Sequence, residues 1–166
     1  MRLPRLWLVA SVAVAPAFAL ADEPRGCDKF KWPVAQDQAA LNQADKARVE
    51  SGGAIVLGAP VRLALAPFAQ ARLPMAPERA PKSASSYAGM ANAPAPAAGV
   101  YKISLSEAGW IDVIQDGGFV RSTGFSGALD CPGVRRIVKF QLKAAPFIIE
   151  VSGVDASELS LIVSPE

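Results

Sequence analysis

The second half of the chain is a series of short segments in which apolar and polar residues alternate. Alternation with a period of two is typical of strands that bury one face, and glycine or proline separates the segments about every ten residues. This spacing predicts an antiparallel β-sandwich or jelly-roll-like fold. We expect its main strands within residues 99–163, at 101–105, 110–115, 119–123, 137–142, 146–152 and 159–163.

The first half carries one helical pattern. Pro33 suits the first position of a helix, and alanine, glutamine and leucine follow it until Ser51-Gly52-Gly53. We therefore predict one short N-terminal helix over about 34–49. Two short strands are predicted after it, at 55–57 and 61–67.

A stretch rich in proline and alanine, residues 74–98, follows these strands. Three prolines within 73–81 exclude a helix or a central strand there, so we predict an extended connector. A strand around Tyr87, over 83–90, is expected to interrupt it. The N-terminal part is too small to bury a core of its own. We therefore predict a single, mainly β domain over 22–166.

The N-terminus has the pattern of a signal peptide. Arg2 and Arg5 precede an apolar run over 6–20, and Ala19 and Ala21 are the small residues that a signal peptidase reads. We predict cleavage after Ala21 and a periplasmic or secreted protein. No later stretch is apolar enough to suggest a membrane span.

Removal of the leader changes the charge balance. The chain has 17 basic and 15 acidic residues, and loss of Arg2 and Arg5 leaves the two signs equal. A neutral chain offers no electrostatic attraction to nucleic acid or to an anionic membrane, so we expect neither as a partner. An envelope protein or a polysaccharide remains a possible partner.

The chain has two cysteines, Cys27 and Cys131. An even number of cysteines in an exported protein predicts a disulfide. A zinc pair or a redox dithiol is the alternative, but the cysteines lack CxxC spacing and the chain contains no histidine.

The absence of histidine also restricts catalysis. It excludes serine–histidine and cysteine–histidine nucleophiles and the 2-His-1-carboxylate iron site. The sequence has no phosphate-binding glycine motif either. We therefore expect no cofactor, no metal and no enzymatic activity.

The segment AGWIDVIQDGG, residues 108–118, is the most distinctive stretch. Asp116-Gly117 predicts a two-residue hairpin turn. If Ile111 faces the core, Trp110 and Asp112 point outward together. An exposed tryptophan beside a carboxylate is typical of a glycan-binding surface, to which Tyr101 would add a second ring. The alternative is a packed Trp110, with Asp112 at a turn or paired with an arginine.

Two further hypotheses concern charged residues. Asp112 together with Glu107 or Glu150 would supply the carboxylate pair of a small hydrolase. Arg135-Arg136 begins a predicted strand and is either a solvated strand end or a docking point for an acidic partner.

Three stretches carry a resemblance to a known family: GVYKISLSEAGWIDVIQDG, VRRIVKFQLKAAPFIIEVSG and ELSLIVS. Together they resemble the PPC-type (bacterial pre-peptidase C-terminal) β-sandwich domains, over about 65 residues. The segments CDKFKWP and DCPGVRR are also similar to a group of exported proteobacterial proteins. The resemblance implies an accessory or binding role. We therefore expect a non-enzymatic module of the cell envelope, with glycan binding and hydrolysis as the alternatives.

Overall fold

Eleven β-strands form two sheets in the computed structural model, which describes residues 23–166. The strands are β1 (Ala47–Val49), β2 (Val61–Ala64), β3 (Ala66–Pro67), β4 (Tyr87–Ala93), β5 (Gly99–Leu105), β6 (Trp110–Gln115), β7 (Gly118–Phe119), β8 (Ser122–Gly127), β9 (Arg136–Leu142), β10 (Phe147–Val154) and β11 (Glu158–Pro165). One α-helix, α1 (Ala35–Leu41), precedes them, and two 3₁₀ turns lie at Cys27–Lys29 and Phe68–Gln70.

The strands divide into a six-stranded and a five-stranded sheet. The six-stranded sheet has the order β1-β2-β11-β5-β9-β8, and the five-stranded sheet has the order β3-β4-β10-β6-β7. Every pairing is antiparallel except that of β1 with β2. The predicted class, a mainly β antiparallel sandwich with one short N-terminal helix, is confirmed.

The core lies between the two sheets. Alternate residues of the six-stranded sheet, such as Leu63 and Ile103, meet Val113 and Ile149 of the five-stranded sheet in one apolar cluster. Each of these four side chains is fully buried. Burial of such side chains contributes roughly 1.5–3 kcal/mol each, so this cluster is the main source of stability.

The N-terminal segment covers the outer face of the six-stranded sheet. Phe30, Val34 and Leu41 pack there against Ile137 and other residues in a second apolar cluster. The predicted disulfide between Cys27 and Cys131 is confirmed, with the two Cα atoms 4.8 Å apart. It joins this segment to the loop before β9.

Helix α1 is shorter than the predicted helix over 34–49. It ends at Leu41, which is its last buried apolar residue, and the Lys46 ammonium donates to the Leu41 carbonyl at 2.8 Å. The next five residues bring no large apolar side chain to the sheet. The chain then becomes strand β1, in which Val49 pairs with Leu63 and packs against the core.

Four strand predictions also need correction. The predicted strands 61–67 and 119–123 each divide into two strands of different sheets, β2 and β3 in the first case and β7 and β8 in the second. Residues 55–57 form no strand, because the turn at Gly58 and Pro60 follows at once and leaves only the bridge between Ala54 and Asn92. Strand β4 extends to Ala93, beyond the predicted end at residue 90, because the small side chains of Ala91 and Ala93 fit into the core.

The hairpin at Asp116-Gly117 is confirmed. Both residues have positive φ, 54° and 77°, and Gln115 pairs with Gly118 across the turn. The predicted leader and its cleavage after Ala21 lie outside the described residues. Within residues 23–166, none of the helices combines the length and the apolarity that crossing a membrane requires.

Candidate functional site

A proline-rich segment crosses the outer face of the five-stranded sheet. We call residues 73–82, LPMAPERAPK, the strap. It contains no helix or strand, as its three prolines predict. Because the strap has no hydrogen-bonded ladder of its own, its attachment to the sheet depends on other contacts. Two acidic side chains of the sheet provide hydrogen bonds to it.

These acidic side chains are Asp112 of β6 and Glu150 of β10, which lie directly opposite each other in the ladder. Asp112 Oδ2 accepts a hydrogen bond from the amide of Glu78 at 3.1 Å, and Glu150 Oε1 accepts one from the amide of Met75 at 3.1 Å. Asp112 and Glu150 are 3% and 1% exposed. The strap thus lies over both carboxyl groups and is hydrogen-bonded to both.

Burial affects the protonation of both acids. Desolvation raises the pKa of Asp112, against the lowering effects of its hydrogen bonds from Trp110 and from the Glu78 amide. Desolvation also raises the pKa of Glu150, and the negative charge of Asp112 adds to that effect. Glu150 Oε2 is buried and has no hydrogen-bond partner. Together these effects shift Glu150 toward its protonated form relative to an exposed glutamate, against the lowering effect of the hydrogen bond from the Met75 amide.

The orientation of the β6 side chains follows the alternation of residues in the sequence. Ile111 and Val113 belong to the core, so Trp110 and Asp112 share the opposite face. The indole Nε1–H of Trp110 donates to Asp112 Oδ1 at 2.7 Å. The structure therefore brings Trp110 and Asp112 together, but Asp112 lies beneath the strap instead of facing solvent.

Trp110 is partly exposed, and an arginine of the strap covers it. The guanidinium carbon of Arg79 lies 5.4 Å from the centroid of the indole ring, within the range of a cation–π contact. One face of the ring is thereby occupied. This arrangement differs from the open aromatic surface on which a sugar ring stacks.

Tyr101 lies elsewhere in the fold. It belongs to the six-stranded sheet, is 2% exposed, and packs its ring against Phe147 with the centroids 5.9 Å apart. Its hydroxyl donates to the carbonyl of Ala97 at 2.8 Å. The structure therefore does not bring Tyr101 to Trp110 and Asp112. Glu107 is exposed in the loop after β5, whereas Glu150 is the carboxylate opposite Asp112.

A cleft of about 290 Å³ opens beside Trp110, at the end of the strap. We call it the basic cleft, because three cationic side chains and one acidic side chain line it: Arg79, Lys82, Arg136 and Asp155. Gly109 forms part of its wall. A Cβ atom at Gly109 would lie 2.9 Å from Val154, so glycine is needed for the loop after β5 to approach β10 this closely.

Arg136 is the partly buried cation of this cleft. Its Nε atom is buried without a hydrogen-bond partner. Burial lowers the pKa of the Arg136 guanidinium, and the charges of Arg135 and Arg79 lower it further, against a raising effect of Glu23. Arg135, by contrast, forms an ion pair with Glu23 at 2.7 Å.

A second, more open cleft of about 510 Å³ lies at the other end of the strap. Pro74 and Met75 of the strap, Ile114 of β6 and Ile148 of β10 line it. Among residues 23–166 we find no group of three acidic or cysteine side chains arranged to hold a metal. Of these two clefts, the basic cleft has the greater concentration of charged side chains.

The basic cleft is not among the sites that the sequence predicts. Arg79 and Lys82 lie in the strap, which the sequence predicted only as a connector, and Arg136 was considered only as one of a pair. The signal available was the charged residues between the prolines in PERAPK. Nothing in the sequence showed that this segment lies beside Trp110.

Comparison with known proteins identified no relative: no protein-family model, curated protein or solved structure matches this chain. The resemblance of residues 99–163 to PPC-type domains thus stays a prediction.

Proposed function

We propose that this chain is an exported, non-enzymatic binding or accessory module of the cell envelope, and that its ligand binds in the basic cleft. The predicted leader over 1–21 supports export. The disulfide between Cys27 and Cys131 supports it as well, because such bonds persist in oxidising compartments.

The construction of the basic cleft is the observation on which the proposal rests. Four parts of the chain form it: the strap with the residues just after it, the loop containing Gly109, the start of β9, and the end of β10 with the residue that follows it. Their meeting point combines an aromatic ring with charged and hydroxyl groups. Small ligands commonly bind in concave sites where a few polar or charged groups converge beside an aromatic wall.

The two alternative functions receive less support. A glycan-stacking surface requires an open ring face at Trp110, and Arg79 lies over that ring. A hydrolase requires access to its carboxyl pair, and the strap lies over Asp112 and Glu150. We therefore propose binding and assign no reaction.

Photo-crosslinking in the producing cells tests the proposal. A photoreactive amino acid replaces Ala80, an exposed residue in the wall of the basic cleft. The matched control replaces Ala144, which is exposed in the turn after β9 and lines neither of the two clefts. We expect a specific adduct from position 80 and none from position 144. Equal adduct patterns from both positions would contradict the proposed site.

A further inference from the structure

The basic cleft has an imbalance of charge. It is lined by three cations, Arg79, Lys82 and Arg136, and by one acid, Asp155. None of the four takes part in an ion pair within residues 23–166, although neighbouring cations such as Arg135 do. The cleft therefore carries an excess of positive charge that Asp155 offsets only in part, and a ligand that neutralises the remainder would be an anion.

Arg136 supplies a donor that lacks an acceptor. Its Nε–H is buried and unpartnered, and leaving a buried donor unpaired is unfavourable. A guanidinium presents its donors in a plane that matches a carboxylate or a phosphate. Arg136 also forms part of the cleft wall, so an oxyanion bound in the cleft would pair with its charge and offset the repulsion between Arg136 and Arg79.

Contacts with the rest of the fold also hold Arg79 in place beside the cleft. Asp112 accepts hydrogen bonds from the indole of Trp110 and from the amide of Glu78, the residue before Arg79. The indole lies beneath the Arg79 guanidinium. A single buried carboxyl group thus fixes both the ring that Arg79 contacts and the backbone that carries Arg79. Such preorganisation lowers the entropic cost of binding.

We propose that the basic cleft binds an oxyanion, a phosphate or a carboxylate group, through Arg136, Arg79 and Lys82, with Trp110 as the positioning residue for Arg79. This inference rests on the proposed function and names the chemical class of the ligand.

Isothermal titration of the mature chain at low salt tests this inference, with inorganic phosphate, succinate and uncharged glucose as the probes. We expect binding of phosphate, of succinate or of both, and none of glucose. Phosphate alone would identify a phosphate-bearing ligand, and succinate alone a carboxylate-bearing one. The absence of binding for both anions would overturn the inference.

Variants locate the binding. Arg136→Gln should weaken binding at least about tenfold, and Lys82→Gln, at an exposed side chain that no fold contact requires, should weaken it as well. The matched control, Lys143→Gln, removes a cation that pairs with Asp116 at the hairpin and should leave the affinity unchanged. Wild-type affinity in both cleft variants would overturn the inference.

A double-mutant comparison tests the positioning role of Trp110. If the indole acts through Arg79, then Trp110→Phe should weaken anion binding in the wild type but not in an Arg79→Gln background. Additive losses would contradict that role.

The cross-linking and titration results together distinguish this inference from the proposed function. A cross-link from position 80 without anion binding would leave the proposed function standing and remove only this inference. The absence of both the cross-link and anion binding would remove both.

Discussion

Removal of the disulfide should lower the free energy of unfolding by an amount that follows from the length of the loop it closes. Cys27 and Cys131 are 104 residues apart, so the bond closes most of the described chain into one loop. In the chain-entropy model, a loop of this length lowers the entropy of the unfolded state by an amount equivalent to about 4.7 kcal/mol at 25 °C. The Cys27→Ala/Cys131→Ala variant should lose most of this free energy of unfolding.

Equilibrium unfolding in urea measures the effect. We expect the free energy of unfolding to fall by about 4 kcal/mol, and the slope against urea to rise, because the unfolded chain is no longer cross-linked and exposes more surface. The folded variant should keep its circular dichroism spectrum. The N-terminal segment remains bound through backbone hydrogen bonds, among them Leu129 N–H to the Pro24 carbonyl at 2.7 Å.

Reduced wild-type protein is the control for the alanine substitutions and should unfold at the same urea concentration as the variant. A loss below about 1 kcal/mol together with an unchanged slope would refute the reasoning. That result would mean that the bond does not restrict the unfolded chain.

Three further predictions follow from the site, the hairpin and the leader. Burial raises the pKa of Asp112 and of Glu150. The folded chain therefore binds protons at these groups more tightly than the unfolded chain does. The free energy of unfolding should fall as the pH rises from the ordinary carboxyl range through the raised pKa values. Glu150→Gln should flatten this dependence in urea unfolding across pH, and an unchanged profile would contradict the assignment. Gly117→Val should lower the free energy of unfolding, measured by thermal unfolding, by about 1–2 kcal/mol, because valine resists positive φ. The control Gly118→Val should cost less, because the φ of Gly118 is not positive and a Cβ atom there would meet open space. Equal costs would mean that φ is not the cause. Mass spectrometry of the exported protein should find an N-terminus at Asp22, and any other start would refute cleavage after Ala21.

The sequence was sufficient to predict the sandwich because its strands have one buried and one less apolar face. The alternation around Ile103 and Val113 marked strands, and Asp116-Gly117 marked a turn, because each depends on neighbours in the sequence. The disulfide was predictable for a different reason, since the chain has only two cysteines.

The limits of the helix and the burial of Asp112 depend on contacts between distant residues. Helix α1 ends where its apolar face ends on the sheet, and Val49 then pairs with Leu63. The outward orientation of Asp112 was predicted on the condition that Ile111 faces the core, and the structure meets that condition. Its burial depends on the strap, which lies about thirty residues earlier in the sequence and has no periodicity that could reveal what it covers.

The basic cleft could not have been predicted from local sequence. Its cations come from the strap and from the start of β9, and each is unremarkable in its own segment. Only their approach to Trp110 in the folded chain creates the concentration of charge. The hypothesis that Arg135-Arg136 docks an acidic partner also involves recognition of negative charge by arginine, but it did not locate that recognition in the basic cleft.

The most direct test of the central claim is a nitrogen-15 NMR spectrum of the mature chain, recorded with increasing inorganic phosphate and repeated with succinate. If the basic cleft binds an oxyanion, the Nε–H signal of Arg136 and the indole signal of Trp110 should shift and saturate together, while the side-chain amide signal of Gln115, at the far end of the same strand, should stay in place. Unchanged signals of Arg136 and Trp110 with both anions would contradict the claim that this cleft is an anion-binding site.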